Sequence, residues 1–158
     1  CWGKISSRAN KETLMAFTGN FMCTSFKAEI LKAVHDFTLS SGSTFNVALY
    51  TNSASFTAAT TAYTSANEIT GTGYVAKGKA LTNVTPTTGG TTGFTDFQDL
   101  TWSTASFTAR GALLFNDTAA SDPTCLVLDF GSDQTSTAGD FKIVFPTNDS
   151  TNAIIRIA

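Results

Sequence analysis

Charge is scarce in this chain. Only 14% of its 158 residues are Asp, Glu, Lys or Arg, and the ten basic residues are scattered along it. With a formal net charge of −2 and no basic stripe, nothing is present to neutralise a phosphate backbone, so nucleic acid is not an expected partner. No apolar run approaches the roughly 20 residues that a membrane-spanning helix needs, and no membrane partner is expected. Cys1, Cys23 and Cys125 are too few and too dispersed for a disulfide framework or a zinc site. They read as two buried thiols, with Cys1 apart from them, in a reducing compartment. His35 is the only histidine, and a lone histidine without a nucleophile motif reads as structural. The chain has no G-x-S-x-G and no carboxylate pair in an evident shared setting, since the Asp96 and Asp99 spacing is a common one. No enzyme activity, metal or cofactor is therefore expected.

Hydroxyls stand where charge is missing: 28 Thr and 15 Ser. Threonine is β-branched and suits a pleated surface, while its hydroxyl can face water. The expected class is all-β, a jelly-roll-like antiparallel β-sandwich of about eight strands with one N-terminal α-helix. The helix is expected over "TSFKAEILKAVHDF". Phe26, Ile30, Val34 and Phe37 form one apolar stripe there, widened by Leu31. Thr24 or Ser25 is expected to cap its start, and Gly42 lies beyond its end. Strands are expected in "TFNVALYT", "YVAKGKAL", "GFTDFQDLTW", "ASFTARGALLFND" (bent at Gly111), "TCLVLDFG", "DFKIVFP" and "NAIIRIA". Trp102, Phe115, Val127, Phe141, Ile143 and Phe145 are the expected core. The long Thr51–Thr70 connection is expected to be functional or mobile.

Two stretches imitate known chemistry. Gly73 to Lys79 reads G-x-x-x-x-G-K, but Ala80 stands where a phosphate loop needs Ser or Thr, and Pro86 interrupts any following helix. A turn followed by an edge strand with outward Lys77 and Lys79 is the better reading. "DFGSDQTSTAGD" offers Asp129, Asp133 and Asp140, whose spacing fits no EF-hand; a solvated acidic turn is expected.

Residues 1–14 lack periodicity and an initiating Met, and Lys11-Glu12 can be encoded by a ribosome-binding sequence shortly before Met15. Residues 1–14 thus read as translated leader, residues 1–23 as an irregular leader and arm, and residues 24–158 as the helix-plus-sandwich domain. The arm carries Phe17, Phe21 and Met22. It is expected either to fold back on its own sandwich or to lie along a neighbouring subunit as a docking arm.

Residues 24–158 resemble a family of small virion proteins of tailed bacteriophages. The likeness rests on "FNVALYTNSA", "AYTSANEITGTGYVAKGKAL", "LTWSTASFTARGALLFND", "LVLDFGSDQTSTAGDFKIVFP" and "NAIIRIA". It implies a virion structural protein, foremost a head decoration or cement protein whose partner is the major capsid protein, assembled in the bacterial host cytoplasm. It transfers no catalytic residues. Oligomerisation would let each shell contact be modest. The alternatives are a tail- or neck-associated protein, or a virion-surface carbohydrate-binding module using Tyr50, Tyr63, Tyr74 or Trp102.

Overall fold

The computed structural model describes residues 17–158. The expectations for residues 1–14 and Met15 lie outside that range. In chain order the elements are β1 (Phe21–Met22), α1 (Thr24–Leu31), β2 (Phe45–Tyr50), β3 (Lys79–Ala80), β4 (Asn83–Gly89), β5 (Thr92–Phe97), β6 (Leu100–Asn116), β7 (Thr124–Ile143) and β8 (Ile155–Ile157). They form two antiparallel sheets, ordered β1-β7-β6-β2-β3 and β4-β5-β8. This is the expected all-β sandwich with one short helix.

Aromatic side chains join the layers. Phe45 of β2 meets Phe97 of β5 at 5.6 Å, and Phe37 stacks flat on Phe45 at 4.5 Å. A second group joins Trp102, Phe107 and Phe141 along the β6–β7 pair. All six expected core residues are buried. β2 is buried on both faces for most of its length, so Ala48 and Tyr50, expected opposite the core, lie inside too.

The helix is shorter than its apolar stripe. It ends at Leu31 because Ala33 turns left-handed (φ 56°), with Val34 N–H donating to Glu29 O and Ala33 N–H to Ile30 O. That is the paired-bond helix stop usually built on glycine. It swings His35 and Phe37 inward and leaves Leu31 88% exposed, outside the stripe it was expected to widen. Neither Thr24 nor Ser25 caps the start. Cys23 is the N-cap without a side-chain bond, while the Thr24 N–H is taken by Ala58 O at 2.8 Å.

Several strands differ from expectation. "YVAKGKAL" forms a strand only at Lys79–Ala80, and "GFTDFQDLTW" is divided, ending β5 at Phe97 and starting β6 at Leu100, which runs on through "ASFTARGALLFN". "TCLVLDFG" and "DFKIVFP" are one strand, β7, running through the segment expected to be an acidic turn. Between Phe130 and Asp140 most of its side chains are exposed, so neither face carries the apolar alternation that marks a strand. β4 contains Pro86 and was not expected as a strand. It is a sheet edge, and its register slips between Val84 and Thr87 where the proline sits. Gly111 does not split β6. The register shifts between Ala109 and Gly111, and a Cβ at Gly111 would collide with the Phe17 ring and the Leu128 carbonyl.

Candidate functional site

The expected docking arm is a part of the sheet. Phe17 is 2% exposed, bridges to Phe56 and lies under the Arg110 guanidinium. Phe21 and Met22 pair with Val127 and Leu126 of β7. Residues 17–23, expected to be irregular, therefore belong to the sandwich, and Phe17 is not available to a neighbour. Phe21 and Met22 are half-buried.

The most chemically loaded group lies under α1. His35, Glu29, Asn116, Cys125 and Cys23 come from four separate places in the sequence. The helix stop at Ala33 points the His35 imidazole inward, where its side chain is fully buried. His35 Nε2 is 2.9 Å from Glu29 Oε2, and Nδ1 is 3.1 Å from Asn116 Nδ2. The Asn116 orientation is fixed because its Oδ1 accepts the N–H groups of Thr118 and Ala119. Its amide nitrogen is therefore the donor, Nδ1 of His35 the acceptor, and the ring proton is on Nε2, donated to Glu29. Cys125 Sγ sits 3.8 Å from the same Nδ1.

A thiol beside an imidazole that is oriented by a carboxylate has the outline of an activated nucleophile. Its surroundings oppose that role. Cys125 is fully buried, and burial, with Cys23 and Glu29 nearby, pushes its thiol well above the ordinary range. Burial and Glu29 push Cys23 up to about 11. Both thiols are held protonated, whereas a reactive cysteine needs thiolate and access. Among the described residues no group of three or more His, Cys, Asp or Glu is placed to hold a metal ion. His35 forms part of the wall of an apolar groove of about 320 Å³, together with Ile30, Phe37, Phe94, Ile155 and Ile157.

A second polar network organises the long connection after β2. Tyr63 and Tyr74 each donate to one oxygen of Glu68 at 2.6 Å. Tyr74 Oη also accepts the Leu49 N–H, and Tyr50 donates to Thr64 O. Burial, then the Glu68 carboxylate, raises Tyr63 to about 12. Lys77 bridges Asp117 and Asp122 at 2.9 Å each and lies over the Tyr63 ring. The segment expected to be functional or mobile is thus pinned at Phe56, Tyr63, Glu68 and Ile69. These bonds also engage Tyr50, Tyr63 and Tyr74, while Trp102 is buried, so none of the four is an open platform for a sugar.

The phosphate-loop imitation is a turn before an edge strand, but strand β3 is only Lys79–Ala80: Lys77, expected to point outward from the strand, sits in the turn with φ +68° and makes its ion pairs there, while Lys79 Nζ donates to Thr101 O. Asp129 is ion-paired with Arg110. Asp129, Asp133 and Asp140 are spread along one extended strand, where a rise of about 3.3 Å per residue keeps the outer two far apart. They make no cation site.

Two functional-looking features escaped sequence reasoning. The His35 cluster has partners 6, 81 and 90 positions away, and no spacing rule could gather them. The groove is built by strands β5 and β8 against residues that were expected to be helical.

No family model, curated protein or solved structure matches the chain significantly.

Proposed function

We propose that the protein is a structural protein of a tailed-phage virion, a head decoration or cement protein that binds the shell of the major capsid protein. The family resemblance over residues 24–158 motivates the reading. One observation carries it furthest: among the described residues many charged side chains are engaged in internal bonds, while several large apolar side chains are left open. Glu68, Lys77, Arg110, Asp129, Asp99, Lys142, Glu29 and His35 are all engaged in internal bonds. Leu31, Val75, Val144 and Ile157 are each more than half exposed. A sandwich that ties many of its charges to its own loops and leaves large apolar side chains uncovered suits a module that docks on protein.

The test is co-sedimentation of the purified chain with undecorated heads of the phage that carries the gene. Saturable binding at a fixed ratio to capsid subunits supports the reading. Protein left in the supernatant at every concentration overturns it.

A further inference from the structure

We propose that Cys23 and Cys125 form a redox-sensitive disulfide site, which closes with a small disulfide such as oxidised glutathione and fastens strand β1 to β7. The inference does not depend on the proposed virion role.

The geometry is that of direct cross-strand neighbours. β1 pairs with β7 so that Phe21 faces Val127 and Met22 faces Leu126. One step further puts Cys23 opposite Cys125, and the Cys23 N–H donates to Cys125 O at 2.9 Å. Hydrogen-bonded antiparallel partners lie about 5.5 Å apart between Cα atoms, inside the range of roughly 4.4–6.8 Å that a disulfide spans. Directly opposed residues also project to the same face of a sheet. Both side chains are fully buried, both are free thiols, and the same Glu29 carboxylate raises both. Two cysteines so far apart in sequence meet in one register position of the core.

Closure is balanced by cleavage of the small disulfide, the two-electron oxidant, whose S–S bond is reduced to two thiols. One Cys thiolate attacks the small disulfide and releases one small thiol. The other Cys attacks the resulting mixed disulfide and releases the second. Two S–H bonds are lost from the protein, one S–S bond is made, and the two electrons and two protons leave on the two small thiols. Burial keeps the pair protonated and shielded, so reaction follows local opening of β1. This strand has two residues, lies at the sheet edge and is paired on one side only. Closure would hold the edge strand, and the chain that precedes it, against β7.

The experiment uses the Cys1→Ser full-length chain, so that only this pair reports. The native protein is incubated with oxidised glutathione, then denatured, alkylated and weighed. The expected result is loss of both free thiols, a mass lower by two hydrogens, no retained glutathione, a peptide linking Cys23 to Cys125, and a higher unfolding midpoint that dithiothreitol reverses. The Cys23→Ser variant in the same background is expected to stop at the mixed disulfide on Cys125. Two thiols surviving prolonged native incubation would overturn the proposal. So would glutathione adducts as the end product of the chain that retains both cysteines.

Discussion

Gly78 has φ at +70°, and a Cβ on it would overlap the Val47 carbonyl where the turn before β3 crosses β2. Backbone strain and overlap act together, so Gly78→Ala is expected to cost about 3 kcal/mol or more, read as a lower urea midpoint. Lys79→Ala, one residue on, removes a single exposed bond to Thr101 O and is expected to change the midpoint little. Two carboxylates three residues apart should titrate with opposite signs. Burial raises Asp96, although it accepts the Phe97 and Ile154 N–H groups. The Lys142 ammonium and the Phe145 N–H lower Asp99. Asp96 therefore favours the fold at low pH and loses that contribution as pH rises through its folded value. Asp99 contributes above the ordinary aspartate range and loses its contribution as pH falls through its depressed value. Carboxyl-carbon NMR is expected to find Asp96 titrating above Asp99; the reverse order would contradict the assignment.

The connection between β2 and β3 has little regular structure, and its order is expected to depend on Glu68. Glu68→Ala leaves two half-buried tyrosine hydroxyls without their acceptor and is expected to cost about 2–3 kcal/mol. Proteolysis of the variant should begin between Thr51 and Gly78, and cleavage confined elsewhere would count against this role. The folded-back arm makes a parallel prediction. Phe17→Ala empties the space that Gly111 leaves for the ring and should cost roughly 3–5 kcal/mol, whereas an arm ordered only on a neighbour would lose almost nothing. These elements also mark where the sequence could be read. "TFNVALYT" declared a strand because its residues pack in a core, whereas "NAIIRIA" showed its strand only through alternating isoleucines, of which Ile155 is buried and Ile157 is exposed. The Ser/Thr half of β7 faces water on both sides and shows no period, so it looked like a turn. β4 hid behind Pro86, which an edge strand tolerates. The helix stop was illegible because Ala33 takes a conformation that sequence assigns to glycine, a local cost of about 1–2 kcal/mol offset by burying His35 and Phe37. The His35–Cys125 cluster and the cysteine pair arise only from long-range pairing. What the sequence did show of the site was its poverty: one histidine, few charges and no complete motif.

At the scale of the whole molecule, the proposed docking role rests on internally bonded charges such as Glu68, Lys77 and Arg110 beside exposed apolar side chains such as Leu31 and Val75. Many weak contacts to repeated shell sites would sum to firm attachment without any strong pocket on one subunit. A sandwich built this way should also bind nothing through the phosphate-loop imitation, and ATP is expected to leave its unfolding temperature unchanged. The proposed virion role is tested most directly by counting copies of this chain in purified virions of the source by quantitative mass spectrometry, against the major capsid protein. A decoration role predicts on the order of hundreds of copies per particle, in a fixed ratio to the capsid subunit. A handful of copies would move the protein to the tail or neck, and absence from the particle would contradict the account.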